Sequence, residues 1–325
     1  MSLTFPYTPF PFDVTAISPL FHLSPVSSNT SLGWAPSCTT PECISTTSWS
    51  TSAINSTLSF QYRGVSLAFD GHVEGNMSVQ LFCNGVEVAW SPSGDTLFNL
   101  WGEPGVELHL QNITLQVLDA SPGAQLTVSR ARVNGSSFGD GYFPTSRWTV
   151  PSDDDKLRYT GFIPQTSVVQ TNASTTYVSS SVGDTVSMQF NGSTFLVYGP
   201  CGPTNGLMKV TIDGQQQTVN TSKPLVSNDC LLFQAWGLPT HSLHQLFIEN
   251  ASGGALGIDR FDFFKLQLYE GPDTSTRTIV VACVVMAAIV VSAVVIVVRV
   301  RRSVKRMKEG DEPLPNPRWL KLLCL

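Results

Sequence analysis

The sequence predicts a mainly β protein with two tandem antiparallel β-sandwich or jelly-roll domains and one transmembrane α-helix. Three observations predict this fold class. A block of residues recurs along the chain, alternating apolar segments are separated by Asn-Gly and Asp-Gly turn signals, and twenty consecutive residues near the C-terminus carry no charge. The 325 residues are also enough for two domains that each bury a core of their own.

The recurring block has the pattern LFxxWGxP. It occupies residues 97–104 and reappears 135 positions later at residues 232–239, and His109 and His244 keep the same spacing. A common order of matches over several blocks favours duplication of one domain over coincidence. Further upstream, at a spacing of 128, the matching positions are Gly64 with Gly192, Leu67 with Phe195, and Gly71 with Gly199.

Each copy contains strand-like segments rather than amphipathic helices. Residues 207–212 and 260–268 alternate between apolar and polar positions, which is typical of a strand with one buried face. Asp213-Gly214 in the second copy and Asn84-Gly85 in the first are hairpin turn signals. Short strands at this spacing predict an antiparallel sandwich or jelly roll in each copy.

The repeat and the composition divide the chain into seven segments. We predict an N-terminal Pro/Ser-rich segment (1–29), a first β-sandwich repeat (30–135), a linker (136–150), a second β-sandwich repeat (151–270), a juxtamembrane stalk (271–278), a transmembrane helix (279–298) and a cytosolic tail (299–325) that is basic at first and then contains prolines.

The apolar segment 279–298 predicts one membrane crossing. It contains no charge, Pro or Gly, thirteen of its twenty residues are Val or Ile, and a helix of this length spans about 30 Å. Six Lys and Arg residues lie within 299–308, which places the C-terminus in the cytosol. We therefore expect a protein of the secretory pathway that resides in the plasma membrane with its N-terminus outside.

Glycosylation signals agree with this topology. The pattern Asn-x-Ser/Thr occurs nine times, and every occurrence precedes the apolar segment. The predicted acceptors are Asn29, Asn55, Asn76, Asn112, Asn134, Asn172, Asn191, Asn220 and Asn250.

The cysteines before the apolar segment predict disulfides, because pairing is the default in an oxidising compartment. A disulfide between Cys201 and Cys230 would cross-link the second repeat, and one between Cys38 and Cys43 would close a small loop. Cys83 is then left free or pairs between domains.

Charge and motif content narrow the function classes. Residues 1–277 hold 11 Lys and Arg against 21 Asp and Glu, a net charge of 11 − 21 = −10, which argues against a nucleic-acid partner. The chain contains no GxSxG, P-loop, HExxH or GxGxxG pattern. We therefore predict no enzyme activity, no catalytic residue, no cofactor and no metal site.

Several residues that could be taken for metal-binding, sugar-stacking or catalytic residues are better explained by structural roles. The consecutive carboxylates of 153–155 indicate a solvated interdomain loop rather than a calcium site, because alternate side chains point apart. Trp101 and Trp236 precede a Gly/Pro turn, which favours a core position over sugar stacking. We do not expect a catalytic role for His109 or His244. The tryptophans in loop-like stretches, which we predict to be better candidates for exposed aromatic residues, are Trp34, Trp49, Trp90 and Trp148.

The second copy contains the segments FNGSTFLVYGPCG, LMKVTIDG, LFQAWGL, HQLFIEN and IDRFDFF. In these segments it resembles the tandem galactose-binding-like jelly-roll repeats of uncharacterised single-pass membrane proteins in basidiomycete fungi. The resemblance covers residues 150–325, with weaker support over 30–135. It implies two galactose-binding-like β-sandwich ectodomain repeats, one span and a cytosolic tail. The tail of 27 residues is shorter than expected for that group.

Two functional hypotheses follow from the sequence. The first is a non-enzymatic, single-pass cell-surface glycoprotein whose sandwiches bind cell-wall polysaccharide, a glycoprotein or another protein in adhesion or surface sensing. The second is a membrane-tethered enzyme of the secretory pathway, such as a glycoside hydrolase with accessory sandwiches. A convergent pair of buried acids in one concave pocket would favour the second. The ligand-binding residues and the oligomeric state are left open.

Overall fold

The computed structural model describes residues 12–40, 43–64, 66–100, 110–134, 145–166, 175–192, 194–236, 238, 242–266, 286 and 290–305. The chain divides into two compact units, Met1–Gln267 and Leu268–Leu325. The described part of the first unit is mainly β and folds into antiparallel sheets that form two tandem sandwiches. The predicted fold class is confirmed to this extent.

The first sandwich packs two antiparallel sheets on each other. One sheet has the strand order β3-β4-β11-β6-β9, with β1 also paired to β11, and the other has the order β2-β5-β10-β7-β8. A short 3₁₀ helix spans Ile44–Thr46. The strands are β1 (Phe12–Thr15), β2 (Phe21–Ser24), β3 (Ala35–Pro36), β4 (Trp49–Thr51), β5 (Thr57–Arg63), β6 (Ser66–Glu74), β7 (Met77–Cys83), β8 (Val86–Val88), β9 (Thr96–Leu100), β10 (Leu110–Ala120) and β11 (Gln125–Asn134).

The second sandwich has the sheets β12-β23-β17-β20 and β13-β16-β21-β18-β19, together with a small sheet β14-β15-β22. Its strands are β12 (Thr145–Pro151), β13 (Arg158–Thr160), β14 (Ile163–Thr166), β15 (Thr175–Ser179), β16 (Thr185–Phe190), β17 (Thr194–Cys201), β18 (Leu207–Ile212), β19 (Gln215–Asn220), β20 (Ser227–Trp236), β21 (His244–Asn250), β22 (Leu256–Ile258) and β23 (Arg260–Leu266).

Most strands correspond in order and register: β1-β11-β6-β9 matches β12-β23-β17-β20, and β2-β5-β10-β7-β8 matches β13-β16-β21-β18-β19, whereas β3 and β4 have no counterpart in the sheet of β12. Phe69 on β6 pairs with Phe98 on β9. The residues 128 and 135 positions further along, Val197 on β17 and Phe233 on β20, pair in the same way. The repeat predicted from the sequence is therefore also present in the fold, which supports duplication of one domain.

A glycine shared by both copies has a packing reason. A Cβ atom on Gly71 would collide with the carbonyl oxygen of Thr127, and one on Gly199 would collide with that of Gly257. Both positions lie where a neighbouring backbone comes close, so a side chain does not fit.

The two predicted hairpin turns are confirmed. Asn84 and Gly85 have φ values of 52° and 79° between β7 and β8, and Asp213 and Gly214 have values of 49° and 86° between β18 and β19. Positive φ at both central positions defines the type I′ turn that suits a two-residue hairpin.

The first sandwich begins earlier in the chain than the sequence indicated. β1 and β2 lie inside the segment 1–29, which we expected to precede the repeat, and they pair with β11 and β5. Their alternating burial explains this: Phe12 and Val14 of β1, and Phe21 and Leu23 of β2, all face the core. In the same way β12 begins at Thr145, inside the expected linker 136–150, and pairs with β23.

The second unit is described only over residue 286 and the exposed helix 290–305. Over the part of the chain that the structure describes, no helix combines the length and the apolar character needed to cross a bilayer. Most of the first half of the predicted span 279–298, the predicted stalk 271–278 and the tail beyond residue 305 lie outside the described residues.

Candidate functional site

The two sandwiches contact each other through a buried side-chain amide. The amide N–H of Arg63, at the end of β5, donates to Oε1 of Gln234 on β20 at 3.2 Å, and Nε2 of Gln234 donates back to the carbonyl oxygen of Arg63. The Ser18 hydroxyl also donates to the carbonyl oxygen of Leu231. We call the pair of hydrogen bonds between Gln234 and the backbone of Arg63 the Gln234 clamp. The corresponding residue of the first sandwich, Asn99, is exposed, so only the second copy provides this clamp.

A groove with a volume of about 500 Å³ lies beside this contact. The volume falls within the range of about 300–1,000 Å³ that is typical of ligand sites. Both sandwiches contribute to its lining. The described residues that line it are 19–23, 26, 49, 59, 61–63 and 110 of the first sandwich and 217–220, 222–224, 233 and 234 of the second.

Strand periodicity explains why much of this lining is polar. On β5, Leu58 and Phe60 are buried in the core, so Ser59 and Gln61 lie on the opposite face and contribute to the groove. On the second sandwich, β19 is the edge strand of its sheet, and its exposed Thr218 and Asn220 line the groove. Amide and hydroxyl groups therefore stand on both sides.

Lys223 lies buried in the groove lining. Its ammonium group donates to the carbonyl oxygen of Phe21 at 2.7 Å, and its backbone N–H donates to the carbonyl oxygen of Gly202 at 3.1 Å. Burial lowers the pKa of Lys223 to about 8, because an apolar environment disfavours the charged form. At pH 7 the side chain is still mostly protonated.

Arg63 adds further hydrogen-bond donors to the groove, whereas the indole of Trp49 is out of reach of a ligand. Arg63 is half-buried, and its backbone is held by Gln234 while its guanidinium has no acceptor among the described residues. Trp49 is fully buried, and its indole N–H also lacks an acceptor there. None of the described residues that line the groove is Asp or Glu.

The tryptophans expected to be exposed are not. Trp34 and Trp49 are fully buried, and the Trp34 indole N–H donates to the carbonyl oxygen of Thr57 at 2.8 Å. Trp90 and Trp148 pack against the core, the latter stacked on Phe263 with ring centroids 5.4 Å apart. That prediction is wrong, because burying a large ring outweighs the loop-like character of the flanking sequence. Trp101 and the side chain of Trp236 lie outside the described residues.

His244 is not paired with His109 in the repeat. By strand register the counterpart of His244 is Gln111, since His244 pairs with Phe190 and Gln111 pairs with Tyr62, 128 positions before Phe190. His244 is buried and lies outside the groove, and its Nδ1 is 2.6 Å from Oδ2 of Asp213. His109 lies outside the described residues.

The acidic run after β12 forms a turn. Asp153 and Asp155 are exposed, and the carboxylate of Asp154 accepts a hydrogen bond from the Lys156 backbone at 2.9 Å. Nowhere in the described ranges do three or more His, Cys, Asp or Glu side chains converge as they would around a metal ion.

The predicted glycosylation sites differ in accessibility. Asn250 is fully buried: Nδ2 donates to Ser179 and Gly254, while Oδ1 accepts from the backbone of Ser252 and Gly253. An N-glycan there is incompatible with this fold, so we remove Asn250 from the predicted acceptors. Asn191 is half-buried, and Asn172 and the Asn134 side chain lie outside the described residues. The exposed acceptors are Asn29, Asn55, Asn76, Asn112 and Asn220.

Two disulfides, Cys38–Cys43 and Cys201–Cys230, lie within the described residues. The second is buried and links the neighbouring strands β17 and β20. Cys83 on β7 is a free thiol, and its partial burial raises its pKa. Disulfides are typical of proteins that fold in the secretory pathway or outside the cell.

Neither a protein-family model nor a curated protein matches the chain. The assignment to a fungal family therefore stays a prediction. Distant structural similarity does exist to carbohydrate-active proteins. A Paenibacillus xanthan lyase is 15% identical at a TM-score of 0.29, with 79% of this chain and 27% of the lyase covered.

Two further solved structures show the same kind of likeness. The CBM22-1-CBM22-2 tandem domain of Paenibacillus barcinonensis Xyn10C is 12% identical at a TM-score of 0.23, with 84% of this chain and 95% of that chain covered. A family two carbohydrate esterase of Cellvibrio japonicus is 14% identical at a TM-score of 0.28, with 37% and 34% covered. The chain thus spans about a quarter to a third of the length of the lyase and the esterase, and similarity at this level carries no argument about function.

Proposed function

We propose that this chain is a non-catalytic, carbohydrate-binding glycoprotein of the cell surface, held by a single membrane span at 279–298. The binding site is the groove between the two sandwiches. The observation that carries the proposal is the polar lining of this groove, to which both sandwiches contribute. Its ligand is a wall polysaccharide or a glycoprotein glycan.

The chemistry of the lining suits sugars. A sugar hydroxyl donates and accepts hydrogen bonds, and so do amide and hydroxyl side chains. Ser59 and Gln61 on β5 line the groove together with Gln217 and Thr218 on β19. A ring placed between these strands can be bonded from both sides, whereas a purely apolar ligand would leave these groups unpaired, at a cost of about 1–3 kcal/mol each.

The location rests on separate features. Disulfides and exposed Asn-x-Ser/Thr sequences fit an exported ectodomain, and the apolar segment 279–298 followed by basic residues fits a stop-transfer anchor. Most glycoside hydrolases use a pair of carboxylates. The described groove lining offers no such pair, so we propose binding rather than cleavage.

The test is a binding screen of the full chain, produced through a secretory host, against glycan arrays and wall polysaccharides. Saturable binding to one sugar class is expected. Gln61→Ala should weaken that binding about tenfold, which corresponds to one lost hydrogen bond of about 1.4 kcal/mol.

The repeat supplies a matched control for this variant. Gln189 on β16 occupies the position equivalent to Gln61, is exposed and does not line the groove. Gln189→Ala should therefore leave binding unchanged. A folded protein that binds no glycan, or equal losses in both variants, would overturn the proposed site.

A further inference from the structure

The groove is electropositive although the protein around it is acidic. Arg63 is the only Lys or Arg among the first 129 residues, and Lys223 is the only one between Lys209 and Arg260. These two residues, 160 positions apart in the chain, line the same groove. His22 also lines it, and no acidic side chain does among the described residues.

The two cationic side chains of the groove have N–H groups that are not used in hydrogen bonds within the described part of the chain. The ammonium of Lys223 has three N–H groups and one recorded acceptor, the carbonyl oxygen of Phe21. The guanidinium of the half-buried Arg63 has no acceptor within the described part of the chain. A ligand that fits this arrangement is rich in acceptor oxygens.

A buried cation without a counter-charge is costly, and an anion removes that cost. Lys223 is only 8% exposed, and the oxygen it contacts is a neutral carbonyl. Charge-assisted hydrogen bonds are about twice as strong as neutral ones, and the planar fork of Arg matches a carboxylate or sulfate with two parallel bonds. A neutral sugar can supply only hydroxyl oxygens to the same donors.

We infer that the groove binds an anionic glycan, in which a carboxylate or sulfate group on the sugar pairs with Arg63 and Lys223. This inference rests on the proposed carbohydrate binding and specifies the class of sugar. The anionic group lies at the end of the groove where β5 ends, and the amide and hydroxyl groups of β5 and β19 bond the sugar hydroxyls.

The test compares matched ligands by calorimetry on the full chain. An oligogalacturonate is titrated beside its fully methyl-esterified form, and a sulfated galactan oligosaccharide beside its desulfated form. At least one acidic ligand should bind about tenfold more tightly than its neutral partner, and its affinity should fall as salt is raised. Which pair shows the preference identifies carboxylate or sulfate.

Arg63→Gln removes the positive charge and preserves the contact with Gln234, because that contact uses only the backbone of Arg63. It should weaken binding of the acidic ligand several times more than binding of its neutral partner, and so remove most of the preference. The control is Arg158→Gln on β13, an exposed arginine that does not line the groove, and it should preserve the preference.

The outcomes separate the two proposals. Equal binding of acidic and neutral members in both pairs overturns the anionic inference and leaves carbohydrate binding standing. Absence of binding to any glycan in the wider screen overturns both. An acidic preference that survives in Arg63→Gln overturns the assignment of the charge recognition to this groove.

Discussion

The imidazole of His244 and the carboxylate of Asp213 are joined by a hydrogen bond of 2.6 Å between Nδ1 and Oδ2. The other carboxylate oxygen of Asp213 accepts the backbone N–H of Gln245 at 2.8 Å. The equivalent turn of the first sandwich has the same two hydrogen bonds, made by a neutral residue. The side chain of Asn84 accepts the backbone N–H of Asn112 at 2.9 Å and donates to the side chain of Gln111. The two equivalent turns therefore differ. The turn of the second sandwich is held by an ionisable carboxylate, whereas the turn of the first is held by a neutral amide.

The Asp213 carboxylate predicts a loss of stability in acid. The hydrogen bond from His244, followed by that from the Gln245 backbone, lowers the pKa of Asp213 below its usual value of about 3.9. The stabilisation is therefore present above about pH 4 and is lost as the pH falls through the folded-state pKa. Asp213→Asn should cost up to about 1 kcal/mol at pH 6 and progressively less towards pH 3.

The measurement is urea unfolding of the full chain between pH 3 and pH 6. Asn tolerates positive φ and still accepts the backbone N–H, as Asn84 does in the first sandwich, so the variant keeps the turn. The exposed Asp155→Asn should leave acid stability unchanged. A constant difference between wild type and Asp213→Asn across this range would contradict the prediction.

The Gln234 clamp predicts coupling between the sandwiches. Gln234→Ala leaves the Arg63 N–H and carbonyl without their partner, at a cost of about 1–3 kcal/mol in the free energy of unfolding. Limited proteolysis should then cut between the sandwiches faster. Asn99 is the equivalent but exposed residue of the first sandwich. Asn99→Ala should change the free energy of unfolding by no more than about 0.5 kcal/mol and leave the rate of proteolysis unchanged.

Local signals in the sequence predicted much of each sandwich. The type I′ turns followed from Asn84-Gly85 and Asp213-Gly214, because positive φ at two adjacent residues needs these residue types. The strand at Leu207–Ile212 was predicted with its observed bounds. These features depend on a few neighbouring residues, and a single sequence contains that information.

Features that depend on distant residues were missed. β1 and β2 have only four residues each, and β1 finds its partner β11 more than a hundred positions away, so local alternation was too short to identify them. The groove joins Arg63 to Lys223 from different copies. The scarcity of basic residues around each of them was the one signal in the sequence, and it became informative only when the fold brought the two together.

The two disulfides predict unequal losses of stability. Removing Cys201–Cys230, whose cysteines are 29 positions apart, should cost about 3.5 kcal/mol by loop-closure entropy. Removing Cys38–Cys43, separated by 5 positions, should cost about 2 kcal/mol. The double alanine variants are compared by thermal unfolding, and an equal or reversed order would contradict this expectation.

The burial of Asn250 predicts an empty glycosylation site. Enzymatic deglycosylation in heavy-oxygen water followed by mass spectrometry should label exposed acceptors such as Asn76 and leave Asn250 unlabelled. Asn250→Ala should destabilise the protein by about 2–3 kcal/mol, because its four hydrogen-bond partners lose their contact. Asn76→Gln, which removes an exposed acceptor, serves as the control, and a glycan found on Asn250 would contradict the fold around it.

Lys223 predicts a rise in stability in mild alkali. Burial holds its pKa at about 8, whereas the unfolded value is about 10.4, so the folded state binds fewer protons between these values and stability increases with pH there. Relative to Lys223→Met, the wild type should gain about 2 kcal/mol between pH 8 and pH 10 in the free energy of unfolding. Above pH 10 the buried Tyr62, Tyr159 and Tyr198, whose pKa values are raised by burial, lower the stability of wild type and variant alike, which sets the upper limit of the measurement. The exposed Lys156→Met should show no such trend, and a flat difference for Lys223→Met would mean that its ammonium is solvated rather than buried against Phe21.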